Sequence, residues 1–421
     1  MPAGRPRNAP RRAAPIPGVE GVRAIAAVSV LVYHCWRYGA EGPNRADLGL
    51  VNRFVLPHLP LGVTLFFSLS GFLLYQPFVA AALSGSPFPK VGTYFRNRAL
   101  RILPAYWVIL AAVGVLLPAA LLRGDHPVLG RLVEDPELAV RNATFTQGYS
   151  PSGQLTGIAP TWSLAVEVVF YLALPLLGLV ALVAARRANT TSRRLLAGLA
   201  PAGLLLVVGL SGRAVARFLI PPADQMAPGW DGDWHLVIEG SFWAKADLFS
   251  FGMALAVLYV GLQQGLVRLP VRWPLLAVAG AAAAAVPTLL LVDRGVIDKS
   301  MYAYQLPTSL ACTLLLGLVV LPNQAERSSP LLWVLTSRPL VAVGLASYSL
   351  FLWHEPLQRL LHERGLTLDG SGGFVVNLAV LGVLSGLLSA LTYRYVERPA
   401  LRRKTPRQPQ PAHQTSQPLA S

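Results

Sequence analysis

Residues 60–83 read Pro-Leu-Gly-Val-Thr-Leu-Phe-Phe-Ser-Leu-Ser-Gly-Phe-Leu-Leu-Tyr-Gln-Pro-Phe-Val-Ala-Ala-Ala-Leu, 24 positions without one aspartate, glutamate, lysine or arginine. As a helix, a run of that length spans the hydrocarbon core of a bilayer, which takes roughly 20 apolar residues. Outward from it, similar runs recur at 22–38, 102–122, 161–185, 195–213, 241–261, 274–292, 307–323, 340–361 and 374–395. Composition agrees. Of 421 residues 53% are hydrophobic and 13% charged, whereas soluble domains carry roughly a quarter charged residues. The pattern predicts an all-α membrane protein, a polytopic bundle of about ten transmembrane helices. Residues 18–403 form that domain. The stretches 1–17 and 404–421, rich in Arg and Pro or in Pro, Gln and Ser, are expected to be disordered tails.

The net charge of +16 does not imply a nucleic-acid partner, because the arginines cluster between apolar runs instead of forming one continuous basic face. They alternate from loop to loop. Arg5, Arg7, Arg11 and Arg12, then Lys90, Arg96, Arg98 and Arg101, then Arg186, Arg187, Arg193 and Arg194 occupy alternate connections. Arg268 and Arg272, and finally Arg398, Arg402, Arg403 and Lys404, continue the series, while Glu134, Asp135, Glu137, Asp293, Glu363 and Asp369 fall between. Positive charge stays on the cytoplasmic side, so both termini are expected in the cytoplasm of a multi-pass cell-membrane protein. The longest external loop, 123–160, is expected to hold a short helix near Arg131–Val140 and to help shape an acceptor site. Cys35 and Cys312 sit in apolar runs without activating neighbours and are read as inert. No ligand spacing for a metal is visible, and none is expected.

Ionisable groups inside the spans are costly, so each is a candidate functional residue. Arg23 and His34 are eleven residues apart, close to three helical turns, which puts them on one face about 16 Å apart. An anion held at Arg23 and a reactive end reaching His34 suit a long ligand; a snorkelling arginine and a satisfied bundle histidine are the plain alternative. Glu167, Asp247 with Lys245, and His354-Glu355 fall at depths similar to His34, so four helices are expected to converge on one polar pocket. Asp247 and Lys245 read as an ion pair, and His354 as either a second catalytic group or part of a structural hinge at Trp353-His354-Glu355-Pro356. Arg98 and Arg101, one turn apart where a loop enters the third span, suit phosphate or ordinary membrane anchoring. Gly62 and Ser68-Leu69-Ser70-Gly71 suit close helix packing.

Taken in order, these segments resemble the acyltransferase-three family of integral membrane O-acyltransferases. The resemblance rests on Gly21-Val-Arg23 followed by His34, on Phe66-Phe67-Ser68-Leu69-Ser70-Gly71-Phe72, and on Arg98-Ala-Leu-Arg101 with Pro104 and Tyr106. It continues through Thr161-Trp162-Ser163-Leu164-Ala-Val-Glu167 with Phe170-Tyr171, then Phe249, Gly252 and Met253, then Ser347-Tyr348-Ser349 through Trp353-His354-Glu355-Pro356, and closes on Tyr395-Val-Glu397-Arg398-Pro399. It covers residues 18–403 and implies a single-domain member without the esterase-like domain that some relatives append.

The resemblance implies acyl-CoA as cytoplasmic co-substrate, with no tightly bound cofactor, and a hydroxyl on a carbohydrate or glycoside as acceptor. His34 is then the general base and Glu167 the group that orients or stabilises its imidazole. Arg23, Arg98 and Arg101 hold the CoA phosphates, and Trp162, Ser163, Tyr171, Asp247 and His354 line the substrate pocket. The competing reading is a transporter or a transmembrane acyl carrier, since buried charges in a ten-helix bundle also describe proton-coupled permeases. The lack of visible duplicated halves and the arginines leading to His34 favour the enzyme.

Overall fold

Long apolar stretches leave the backbone no partner in lipid except itself, and helices result. The computed structural model describes residues 16–38, 46–123, 128–220, 234–297, 302–321 and 329–405. Its principal helices are α1 (Val19–Tyr38), α2 (Leu61–Ser84), α3 (Val91–Ala111), α4 (Trp162–Arg186), α5 (Thr191–Leu219), α6 (Asp247–Gln263), α7 (Trp273–Asp293), α8 (Tyr302–Val320), α9 (Ser347–Glu363) and α10 (Gly370–Thr392). All but α6 and α9 are long and apolar enough to cross a membrane. Those two have 17 residues each and occupy the places of the sixth and ninth expected spans. The protein is an all-α polytopic membrane protein. Both tails lie outside the described residues except at Ile16, Pro17, Lys404 and Thr405.

Helix packing in lipid depends on close approach, because there is no water to drive apolar faces together. One such close approach joins α2 and α6. A Cβ on Gly71 would collide with the Phe249 carbonyl, and one on Gly252 with the Ser68 carbonyl. Gly62 likewise lets α2 sit against the Ala26 carbonyl of α1, and Gly344 lets the short helix Arg338–Leu345 meet the Glu20 carbonyl. Inside, Phe170 stacks on Phe249 with ring centroids 4.0 Å apart. Outside, Leu172, Leu176, Leu276, Val375 and Leu387 are exposed toward lipid.

Two expected spans differ most from the helices found. The third, expected at 102–122, begins at Val91 and ends through a π-helical turn at Ala112–Leu116. Arg96, Arg98 and Arg101 depress its hydropathy, yet they belong to the helix because it turns them toward a polar end of the bundle. The ninth, expected at 340–361, is interrupted at Ala346 between Arg338–Leu345 and α9. Its second half buries His354, Glu355, Gln358 and Arg359, so it is an interior helix.

The loop after α3 begins with a hairpin of β1 (Ala120–Arg123) and β2 (Val128–Gly130) that the sequence did not announce. The expected short helix is present at Pro136–Ala143, where Asp135 caps it by accepting from the Leu138 amide at 2.9 Å. Tyr106 and Trp107 of α3 donate to the Asn142 and Ala143 carbonyls, at 2.7 and 3.0 Å, and pin the loop over the bundle.

Candidate active site

The polar side chains do not converge on one pocket. They form two tiers along the inward face of α1, with a separate cluster between α5, α6 and α8. The first tier holds two histidines. His34 Nδ1 lies 2.9 Å from the Val30 carbonyl and 3.2 Å from Nε2 of His354, whose own Nδ1 lies 3.2 Å from the Leu350 carbonyl. Carbonyls only accept, which assigns the proton of each ring to Nδ1. His34 Nδ1–H is then shared between Val30 and His354. The consequence is chemical: His34 Nε2 keeps its lone pair. His354 is fully buried, His34 half-buried.

The acid near His34 is Glu355, which lies within electrostatic reach of it and is itself ion-paired to Arg359 one turn on. Glu167, expected in that role, lies elsewhere. It accepts from Ser70 Oγ at 2.5 Å and hydrogen-bonds the Tyr171 side chain. Its electrostatic partner on α1 is Arg23, at the other end of the helix from His34, while the helix beside His34 is α9.

The second tier lies at the basic end. Arg23, Arg101, Glu167 and Tyr171 interact electrostatically, and the Arg98 guanidinium stands 6.0 Å from the Tyr171 ring. Arg101 reaches Glu397 at 3.4 Å, and Ser349 donates to the other oxygen of that carboxylate at 2.5 Å. Glu397 is a buried bridge between α3 and α9. Arg23 approaches Glu20 only to 4.0 Å, and the Nε donors of Arg23 and Arg98 are buried without a hydrogen-bond partner. Arg23, Arg98 and Arg101 are thus brought together with donors to spare. Polydentate anions are what such a site takes.

The remaining candidates divide. Tyr171 belongs to the basic tier. Trp162 stands near the acidic end with the Lys245 ammonium 5.9 Å from its ring, a cation–π geometry. Ser163 donates to the Pro160 carbonyl at 2.9 Å within its own turn and offers no hydroxyl proton to a substrate. Asp247 pairs with Arg213 of α5, not with Lys245, and this pair is buried away from both tiers. The sequence reading missed Arg213 because it sits where a span was thought to end. An apolar groove of about 390 Å³ lined by Ala24, Ile25, Val28 and Val32 lies on the opposite face of α1 from His34, so it belongs to the lipid side.

A family profile described as "Acyltransferase domain" matches residues 16–394. Among curated proteins, an O-acetyltransferase OatA of Staphylococcus aureus (strain NCTC 8325 / PS 47) is 22% identical over 394 residues, covering 91% of this chain and 57% of its own length. A peptidoglycan O-acetyltransferase OatA of Listeria monocytogenes is 24% identical over 390 residues, with 91% and 55% covered. The chain therefore spans little more than half the length of these relatives. No solved structure matches it. With the family profile covering nearly the whole bundle, from the start of α1 to the turn after α10, the chain belongs to the acyltransferase-domain family of membrane proteins.

Proposed function

We propose that the protein transfers an acyl group, acetyl by analogy with the named relatives, from acyl-CoA to a hydroxyl of a sugar-containing acceptor. The observation that carries this reading is the spacing along α1: cations at the basic end, and about 16 Å further along the same face an imidazole with a free Nε2. In the proposed orientation the basic end and both termini face the cytoplasm, as the loop charges favour. CoA phosphates would bind at Arg23, Arg98 and Arg101, and the pantetheine arm would run toward His34.

His34 Nε2 would take the proton of the acceptor hydroxyl as its oxygen attacks the thioester carbonyl. The C–O bond forms and the C–S bond breaks. The imidazolium then returns its proton to the departing thiolate, and Glu355 favours the transient positive charge. Trp162 offers a face for a sugar ring. Envelope polysaccharide, as in the relative named for peptidoglycan, a glycolipid or a secreted antibiotic glycoside all present such a hydroxyl.

Mass spectrometry of wall sugars, glycolipids and secreted glycosides, from cells with and without the gene, tests the proposal. Loss of an acyl-sized mass on deletion identifies acyl group and acceptor together; unchanged acylation in every fraction refutes transfer. Purified protein that forms acylated product from acyl-CoA and a soluble acceptor excludes a mere acyl carrier.

His354 is expected to position His34. His354→Gln should lower kcat roughly five- to tenfold, the loss of about one neutral hydrogen bond, with KM for acyl-CoA unchanged. An unchanged kcat would show that Val30 alone fixes the ring.

A further inference from the structure

The chain just past the last helical turn is fastened to the basic tier. Thr405 N donates to Asn97 Oδ1 at 3.1 Å, and Asn97 Nδ2 donates back to the Thr405 carbonyl at 3.2 Å. Arg96 Nη1 adds a bond of 3.2 Å to Thr405 Oγ1. One amide side chain thus holds both backbone groups of one residue. Its neighbour Lys404 is consequently fixed over the end of α3, half-buried.

The charged groups facing Lys404 are Arg98 and Arg101 of α3, Arg23 of α1, and Glu397 of the turn after α10. Glu397 is already engaged by Arg101 and Ser349. Burial first, then the three arginines, push the Lys404 ammonium down to about 6, against the opposing pull of Glu397. Three arginines gathered at one mouth repel one another and disfavour a fourth charge on Lys404, and two of them carry buried Nε donors with no partner. An anion of several charges relieves both deficits.

We propose that Lys404, positioned by the Asn97–Thr405 clamp, is a further binding residue for the phosphate groups of the donor. This rests on the acyl-CoA reading above. The clamp makes the segment after the last helix part of the donor site.

A sign follows for pH. In the empty site Lys404 is mostly neutral at pH 7; bound phosphates favour its charged form and raise its pKa. Between pH 6 and the bound value, binding takes up a proton at Lys404, and affinity falls as pH rises through that window. Phosphate monoesters also titrate near pH 6. Lys404→Arg, charged throughout, has the same phosphate chemistry without the lysine contribution.

The experiment is calorimetric titration of the purified full-length chain in detergent with coenzyme A, at about pH 7.5 in two buffers of different ionisation enthalpy. Proton uptake in the wild type should exceed that of Lys404→Arg by up to about one proton. Lys404→Met should weaken binding roughly tenfold, as loss of a charge-assisted contact does, and Asn97→Ala severalfold, while Lys404→Arg stays near wild type. Thermal unfolding of each variant controls for folding. Coenzyme A binding to Lys404→Met within twofold of wild type overturns the inference and leaves the acyl-CoA reading intact. Failure of the wild type to bind coenzyme A overturns both.

Discussion

His34→Ala should lower acyl-transfer turnover by roughly 10²–10⁴-fold, the range over which a positioned general base accelerates proton transfer. The affinity for coenzyme A should stay within about twofold, because the proposed phosphate-binding tier begins at Arg23, about 16 Å away along α1. This split between kcat and binding distinguishes a role in chemistry from one in folding. Steady-state kinetics on protein in detergent, with calorimetric binding beside it, gives both numbers. Turnover near wild type would remove His34 from the mechanism. A covalent acyl-histidine is separable too: incubated with acyl-CoA and no acceptor, the wild type would then carry an acyl mass on the peptide containing His34, and direct transfer leaves that peptide unmodified.

The sequence announced the number and order of helices because apolar length alone decides what can cross a bilayer. It also gave the Arg23–His34 face, since two residues on one helix are related by helix geometry. Partners on different helices were less legible. Glu167 was expected at the depth of His34, yet it stands in the basic tier with Arg23 and Tyr171, and the carboxylate near His34 is Glu355. Asp247 turned from its sequence neighbour Lys245 to Arg213, 34 residues away. Glu397 follows the last apolar run in sequence, where nothing announces its partners, and the π-helical turn Tyr393–Glu397 carries it inside to Arg101 and Ser349. The start of α3 was hidden because a hydropathy window cannot tell arginines that anchor a loop from arginines that a helix carries to partners such as Glu397. Small residues were the exception among tertiary signals. Gly62 and Gly71 were read as packing residues, and each stands where a Cβ would collide with a neighbouring helix, the Ala26 carbonyl of α1 and the Phe249 carbonyl of α6.

Asp247→Ala is expected to cost about 3–5 kcal/mol of stability, as breaking a buried ion pair does. Arg213 Nη2 reaches both carboxylate oxygens, at 2.7 and 2.9 Å, and its Nη1 is held by Gln305 of α8. Both ions are buried, 4% and 0% exposed, and Gly209 clears the space that lets α5 approach Asp247. Removing the carboxylate leaves a guanidinium with no counter-charge at the junction of three helices. The loss should fall toward the lower end of that range, because unfolded states within a micelle also find polar partners. Thermal unfolding in detergent measures it. The double variant Arg213→Leu with Asp247→Leu should regain most of the loss, since an apolar pair of similar volume carries no desolvation cost. The double variant also decides between the two functional classes that the sequence left in competition. If the pair only joins α5, α6 and α8, the restored protein transfers acyl groups near the wild-type rate. If the pair is instead a proton site of a permease, stability returns and function does not.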